Sequence, residues 1–456
     1  MKKVFAIFVT LFISLSLWAQ EEDTPGEAPR PGMLTLEDDE QEPPPKKRSA
    51  IKNRGFELSL VNIDLNLSNS FLAANDVIRS PSEMIQTGKF FRDSVSINFN
   101  DFFRGFTFFF GTMIKPLSLN INWKDKWGFG LDIGHINVTG NLLLSGNLLS
   151  FNEVSNDKLG IGAAVFADVG IPVFFHYNEL KIKIRPSAFL PVVYTEPNIT
   201  YNYKQSGDPN GIQGMRFELD YNIRVYSIID MHGIEDADFG AIGQNLQDNA
   251  WDIARNNLGY DFSLGAEYPL YDSLDIGVDI INIPLVMADL SHYMQIDGKA
   301  YFDSGKIDID GIDFSDVDIS ELFERGVVYD YTYDIGYGKE SKKIYRPFTM
   351  LFYAKYRPFD SPVLSFIPSL GFSLSPLYPE LGSIEGGLSV RLDLANFFIT
   401  TIGINYNDRR WKNSIDFVLN FRLFELDLGV SFQSSDFAKS FQGAGLGVNV
   451  GLKLGW

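Results

Sequence analysis

Apolar residues occupy every second position in the last stretch of the chain, from Leu446 to Trp456. The positions between them hold glycine, asparagine or lysine, so an extended segment has one apolar face and one small or polar face. Because short connections separate many such segments, the pattern predicts consecutive antiparallel strands with one face in an apolar environment. The alternation also recurs in the preceding segments 364–374, 388–394, 398–406, 415–423 and 426–432.

Hydropathy excludes a helical membrane protein and permits a β-barrel. Hydrophobic residues make up 45% of the chain, but after the N-terminus no apolar run approaches the roughly 20 residues that a spanning helix needs. In a barrel only alternate residues face lipid, so mean hydropathy stays near zero, and here it is -0.04. We therefore predict an all-β fold, a transmembrane antiparallel meander β-barrel of about 14 to 16 strands, with one or two short inserted helices and a long acidic loop.

The N-terminus has the pattern of a signal peptide. Lys2 and Lys3 precede the apolar run from Val4 to Leu17, and Ala19 offers a small residue for cleavage. The apolar run is too short for a transmembrane helix, and acidic polar sequence follows it at once. We therefore expect residues 1–20 to direct export and to be removed.

A proline-rich, acidic segment follows at residues 21–50. It cannot bury enough apolar surface to offset its conformational entropy, so we expect a disordered leader before a barrel at residues 51–456. The chain carries 39 basic and 58 acidic residues, and removal of Lys2 and Lys3 lowers the net charge from -19 to -21. This balance argues against nucleic acid as a partner.

The final strand resembles the C-terminal targeting strand of bacterial outer-membrane β-barrels, which ends on an aromatic residue. The resemblance implies that Trp456, Leu454 and Leu452 form a signal for the barrel-assembly machinery. It also implies that the protein lies in the cell outer membrane, among outer-membrane lipids. We expect the final strand to pair with the first, near Phe56 to Leu67, because a sheet in lipid cannot keep an open edge. The apolar phase slips after Leu60, which predicts a bulge in that first strand.

Three segments interrupt the alternating pattern. Apolar residues at helical spacing predict an amphipathic helix at residues 234–256 and a shorter helix at 75–86, and either helix could plug the lumen or lie over a rim. The third segment, residues 287–345, carries 13 acidic and 6 basic residues. We expect it to be a long extracellular loop, because outer-membrane barrels place their long loops outside. Its carboxylates could instead hold Ca²⁺.

No catalytic motif stands out. The four histidines are scattered, no HExxH or G-x-S-x-G spacing occurs, and the chain has no cysteine. We therefore predict neither an enzyme nor a cofactor. Charged residues on the polar faces of neighbouring C-terminal strands instead predict a polar network inside the barrel. Its candidate members are Arg391, Asp393, Asp416, Arg422 and Asp427.

The strand number, the inserted helices and the phenylalanine-rich strands are loosely similar to long-chain fatty-acid transporter barrels. In that family an N-terminal hatch plugs the barrel, and hydrophobic ligands leave sideways through an opening in the wall. This chain lacks the family's Asn-Pro-Ala signature near the mature N-terminus, so no ligand-binding residue can be transferred. The resemblance implies passive uptake of small solutes, hydrophobic ones included. The alternative is a structural or adhesive surface barrel that displays the acidic loop.

Deleting Trp456 tests the assembly signal. Because the signal acts before the barrel is complete, we expect the deletion to reduce the amount of folded barrel in the outer membrane more than the activity of each assembled molecule. Heat-modifiable electrophoresis of outer-membrane fractions measures the folded amount. Normal assembly of the deletion variant would contradict this role.

Overall fold

The computed structural model describes most of the chain after residue 54. The described residues are 55–69, 83, 86–87, 89, 105–123, 126–145, 154–177, 179–205, 215–232, 252–253, 255–303, 328–359, 363–375, 382–407, 410–421 and 423–455. The chain divides into residues 1–50 and a second unit, Ile51–Trp456. The predicted signal peptide and leader lie outside the described residues and stay predictions.

In the part of the chain that the structure describes, nineteen strands form a single antiparallel sheet. In chain order they are β1 (Phe56–Asn69), β2 (Gly105–Lys115), β3 (Leu117–Trp123), β4 (Trp127–Ser145), β5 (Val154–Gly170), β6 (Val173–Tyr177), β7 (Leu180–Gln205), β8 (Met215–Ser227), β9 (Gly259–Tyr271), β10 (Leu274–Val286), β11 (Ala288–Asp303), β12 (Val328–Ile344), β13 (Phe348–Tyr356), β14 (Leu364–Leu374), β15 (Ser383–Leu394), β16 (Phe398–Asn407), β17 (Arg410–Asn420), β18 (Phe424–Ser434) and β19 (Gly445–Gly455).

These strands occupy 14 positions around a closed barrel, because five positions are each shared by two consecutive strands. The shared positions are β2 with β3, β5 with β6, β8 with β9, β10 with β11, and β12 with β13. Each position pairs with its neighbours in chain order, and β1 returns to β19. The predicted all-β meander barrel is therefore confirmed.

The seam between β1 and β19 closes the barrel as the alternating pattern predicts. Their register shifts between Ser59 and Val61, at the point where the apolar phase slips, so the predicted bulge is confirmed. Leu452 and Leu454 lie on the outward face of β19, opposite apolar residues of β18. Trp456 lies outside the described residues, and its role in assembly stays a prediction.

The two faces of the barrel wall differ as a membrane requires. Outward residues of β19 such as Leu446, Val448 and Val450 are more than a third exposed, and similar residues cover the outside of most strands. Inward residues are mainly polar, and many are buried, among them Ser59, Asp132, Asp261, Asp275, Ser365, Glu385 and Asp393. An apolar exterior around a polar interior is the surface of a barrel that spans a bilayer.

The connections distinguish the two ends of the barrel. At one end, here called the turn end, strands follow one another through short turns such as 178–179, 272–273 and 395–397. The longest connections between neighbouring wall positions, 70–104 and 304–327, join strand ends at the opposite end, here called the loop end. The hydrogen bond from the Gly455 amide to the Leu423 carbonyl places the described C-terminus at the turn end.

The predicted insertion at residues 287–345 is wrong in its bounds. β11 and β12 pair along this range, from Ala288 opposite Ile344 to Asp303 opposite Val328, and β11 also pairs with β8. The alternating apolar pattern did not identify these two strands, because many of their outward residues are tyrosines, glycines or charged residues rather than aliphatic ones. The remaining loop, with its candidate calcium ligands, lies outside the described residues.

Helical residues occur in both predicted helices, at 83 and 86–87 and at 252–253 and 255–257, while the rest of each lies outside the described residues. A short helix that was not predicted, α1 (Phe437–Ser440), precedes β19, and the carboxylate of Asp436 caps it by accepting from the Lys439 amide. Among the described residues, no helix is long and apolar enough to cross a membrane.

Substitution of two glycines, one at the seam and one away from it, tests the packing of the seam between β1 and β19. A Cβ atom on Gly445 would lie 2.5 Å from the carbonyl oxygens of both Gln433 and Leu67, which are backbone atoms of the neighbouring strands. We expect Gly445→Ala to lower the free energy of unfolding by about 1–3 kcal/mol, because the strands must separate to admit the methyl group. The matched control is Gly336→Ala, since a Cβ there meets no atom within 4 Å.

Denaturant unfolding of the refolded barrel, followed by tryptophan fluorescence, measures both glycine variants. The prediction requires a clear loss for Gly445→Ala and little change for Gly336→Ala. Equal stability of the two variants would contradict the close approach of β18, β19 and β1.

Candidate functional site

Seven adjacent wall positions, from β2 with β3 to β12 with β13, are interrupted or bent part-way along their length. Pro116, Pro172 and Pro347 lie in three of the breaks, and proline has no N–H to donate to a neighbouring strand. Gly134 in β4 and Asn282 in β10 have positive φ angles of 67° and 58°, which bend an extended strand. We call this row of interruptions the bend line.

A network of buried charges spans the bend line on the inner face. Arg185 bonds through Nε to Asp132 (2.6 Å) and through Nη2 to Asp168 (2.5 Å). Arg346 bonds through Nη1 to the second oxygen of Asp168 (2.5 Å) and through Nε and Nη2 to both oxygens of Asp261 (2.7 and 2.6 Å). The carboxylate of Asp168 therefore links the two guanidinium groups.

Neutral side chains complete this charge network. The Ser187 hydroxyl accepts from Arg346 Nη2 at 2.7 Å and donates to Asp261 at 2.5 Å. His135 Nδ1 lies 3.2 Å from Arg185 Nη2. The five charged side chains are at most 14% exposed. Because their nitrogens and oxygens are bonded to one another, the network offsets the cost of burying charge.

An apolar cluster adjoins the charge network on its loop-end side. Phe166 and Phe189 meet edge to face with ring centroids 6.2 Å apart, and the guanidinium of Arg346 lies 5.2 Å from the Phe189 ring centre. A Cβ on Gly259 would lie 2.3 Å from the Phe189 ring, so only glycine fits beside it. The other members of the cluster are Ala164, Tyr194, Tyr226, Ile228, Ala288, Leu290 and Ile344.

The wall has a gap beside this apolar cluster. β8 ends at Ser227, opposite Val193 of β7, and β9 begins at Gly259, opposite Phe189. Residues 190–192 of β7 therefore have no strand partner on that side, over a length of about 13 Å at the usual rise of a strand. The chain between β8 and β9 leaves the wall here. We call this interruption the wall gap.

The first residues of the segment that leaves the wall turn towards the outer face. The ring of His232 lies 4.2 Å from the ring of Tyr337 in β12. Tyr337 points outward, because its neighbours Gly336 and Gly338 lie opposite the inward residues Gln295 and Tyr293. Residues 228–232 therefore reach the outer face, whereas Ile253 of the predicted helix at 234–256 packs against the apolar cluster, and the start of that helix lies outside the described residues.

The predicted polar network at Arg391, Asp393, Asp416, Arg422 and Asp427 does not form one site among the described residues. Arg391 Nη2 lies 3.4 Å from Asp393 in the same strand. Asp416 and Asp427 also face inward, but the carboxylate of Asp427 bonds to Lys453 at 3.0 Å. Arg422 lies outside the described residues. Intervening strands separate the two groups, because Arg391 pairs with Thr401 of β16 rather than with a charged residue.

The charge network at the bend line was missed because its members come from distant parts of the sequence. A weak local signal exists nevertheless, since Lys115, Arg185 and Arg346 each stand directly before a proline at the bend line, and proline cannot donate to a neighbouring strand. The signal is not specific, because Arg357 also precedes a proline and lies at the turn end. No local signal identifies the three aspartates.

Comparison with known proteins gives a likeness of shape only. No protein-family model matches the chain, and no curated protein matches its sequence. The toluene transporter TodX of P. putida is 9% identical, with 88% of this chain and 90% of that chain covered and a TM-score of 0.44. The CymD monoaromatic hydrocarbon channel is 7% identical (88% and 89% covered, TM-score 0.40). A Pseudomonas aeruginosa FadL homologue is 10% identical (87% and 89% covered, TM-score 0.38).

The loose similarity to fatty-acid transporter barrels that the sequence predicts is therefore found, as a similarity between large barrels. Identities and TM-scores this low carry no argument about residues, ligands or mechanism. Any function has to be argued from the residues of this chain.

Removing one member of the charge network tests its energetics. We expect Arg346→Met to lower the free energy of unfolding by about 3–5 kcal/mol, because it leaves one oxygen of Asp168 without its guanidinium and the buried charge of Asp261 with only the Ser187 hydroxyl as a partner. Adding Asp261→Asn should recover part of the loss, since it removes one of the stranded charges. Denaturant unfolding in detergent measures both variants.

The control for Arg346→Met is Lys181→Met at an exposed ion pair. Lys181 is 55% exposed and bonds to Glu267 on the same inner wall. Its removal should cost less than about 1 kcal/mol, because water screens the remaining charge. Similar losses at the two sites would show that burial does not strengthen the charge network.

Proposed function

We propose that the protein is an outer-membrane channel for passive passage of small apolar solutes, with the wall gap as their exit from the lumen. The observation that carries this proposal is the position of the gap. It interrupts the barrel wall directly beside the apolar cluster of the inner face, between Ser227 and Gly259.

The chemistry of the inner wall favours a sideways path for an apolar solute. Such a solute gains free energy on contact with Phe166, Phe189 and Leu290, where it leaves water. To continue towards the turn end it would have to pass the bonded groups of Arg185 and Arg346, and separating buried charges is costly. Leaving through the wall gap instead delivers the solute to lipid.

The direction of passage follows from the barrel ends. Outer-membrane barrels have short turns on the periplasmic side and longer loops outside. The turn end is then periplasmic, and the apolar cluster faces the loop end, from which external solutes enter. Because the solute moves down its own gradient into the membrane, no energy source is required.

Deleting residues 229–257 tests the exit. The deletion joins Ser227 to Gly259 through Ile228 and Leu258. Ser227 faces outward and Gly259 faces inward. In the pairing of β7 with β5, Val192 is an extra residue between the partners of Val165 and Phe166. Two connecting residues therefore restore a continuous strand, with Ile228 inward and Leu258 outward. We expect uptake to fall to background, because the gap is closed.

Uptake is measured with a radiolabelled aromatic hydrocarbon and a radiolabelled fatty acid in cells with no other outer-membrane route for them. The matched control replaces residues 229–257 by a glycine-serine linker of equal length, which keeps the gap open and should keep uptake. Full uptake by the deletion variant, with normal amounts of folded barrel, would refute the proposed exit.

A second candidate function is display of an extracellular hairpin. Its supporting observation is that β11 and β12 stay paired up to Asp303 and Val328, which brings the acidic loop 304–327 to the loop end. Replacing that loop by a short turn separates the two functions. A channel keeps its uptake after this change, whereas a display protein loses binding of its partner.

A further inference from the structure

A cluster of positive charge lies on the inner face at the turn end, away from the bend line. Arg357 directly follows β13, and Ser365 and Arg391 lie opposite each other in β14 and β15. Tyr356 pairs with Phe366, so the same register brings Arg357 opposite Ser365. Lys355 precedes these residues on the same face, opposite Asp275 of β10. Three basic residues of neighbouring strands therefore lie close to Ser365 in register, on the same face of the sheet.

The nearby carboxylates do not neutralise this cluster. Both carboxylate oxygens of Asp275 accept hydrogen bonds from the guanidinium of Arg357. Arg391 has only the 3.4 Å contact from Nη2 to Asp393, whose other oxygen accepts from the Asn396 amide at 2.9 Å. Among the described residues, no carboxylate lies within bonding distance of the Lys355 ammonium. One positive charge thus remains without a bonded counter-ion.

Ser365 adds a second and independent observation. Its side chain is 1% exposed, and its hydroxyl has no hydrogen-bond partner. A buried hydroxyl without a partner is costly. Arginine and lysine side chains can only donate, so they cannot accept the hydroxyl proton. An acceptor for that proton is therefore missing among the described residues, and the neighbouring positive charge favours a negatively charged one.

We propose that Lys355, Ser365 and Arg391 form a binding site for an oxyanion, which is a carboxylate or a phosphate group. Its oxygens accept from the Ser365 hydroxyl, the Arg391 guanidinium and the Lys355 ammonium, and such charge-assisted bonds are strong. Arg391 is one-third exposed, so the site is reachable from the lumen. The site does not depend on the wall gap or on the passage of apolar solutes, which use other residues.

Isothermal titration calorimetry of the refolded full-length barrel in a non-ionic detergent tests the site. The probes are inorganic phosphate, acetate and octanoate at constant ionic strength. Binding of phosphate or acetate identifies a free anion as the ligand. Binding of octanoate alone identifies the head group of an amphiphile, because the charged group is the same as that of acetate.

Two variants assign the binding to these residues. Ser365→Ala removes one bond to a charged acceptor and should weaken the probe that binds by about tenfold or more, as should Arg391→Gln. The matched control is Lys412→Gln, which removes the same charge from β17, two wall positions from Arg391. It should leave the affinity nearly unchanged at moderate salt, where distant charges are screened.

The result that overturns the proposal is the absence of binding by all three probes, or equal binding by the wild type, Ser365→Ala and Arg391→Gln. Heat-modifiable electrophoresis verifies that each variant is folded before titration. Should Arg391→Gln not fold, Ser365→Ala decides alone, because it removes only a hydroxyl that has no partner in the protein.

Discussion

Backbone hydrogen bonds that lack water as an alternative partner are the constraint on which this structure depends. In a bilayer every N–H and C=O must pair within the protein, so a sheet has to close on itself. The seam of β1 and β19 meets that requirement along almost the whole of β1, with a single bulge. The bend line departs from this requirement, because its prolines and the wall gap remove backbone hydrogen bonds between neighbouring strands. Some of these bonds are replaced locally, since Gly130 donates to the Pro172 carbonyl and Ile171 to that of Pro186.

Side chains stabilise the wall where its backbone ladder fails. The charge network joins β4, β5, β7 and β9 to the segment between β12 and β13, so that bonds between arginine and aspartate cross the interrupted strands. Outside, Thr195 and Ser227 face outward but are buried, and the Ser227 hydroxyl accepts from the Ile229 amide of the chain that turns over it. The chain that leaves β8 is therefore held at the wall gap by a hydrogen bond and by burial rather than by pairing in the sheet.

The alternation of apolar and polar residues predicted the features of the fold that depend on local sequence. It identified the meander, the seam and the bulge near Ser59, because lipid imposes an apolar face on every spanning strand. It failed for β11 and β12, whose outward residues are not mainly aliphatic. It also misplaced the polar network, since alternation says that Asp416 and Arg391 face inward but not which side chains meet. The contacts of Arg346 depend on strand register, which the sequence does not specify.

Carboxylates line part of the inner wall near the loop end, on the other side of the bend line from the proposed oxyanion site. Near the loop end a cavity of about 460 Å³ is lined by Asp220, Asp297 and Asp334, with Lys299 as its basic residue. Such a surface repels anions and is neutral towards apolar solutes. An anion that enters from the loop end therefore meets these carboxylates before it reaches the proposed site at Ser365. The apolar cluster and the proposed oxyanion site then lie on opposite sides of the bend line, where the charge network joins β4, β5, β7 and β9 to Arg346.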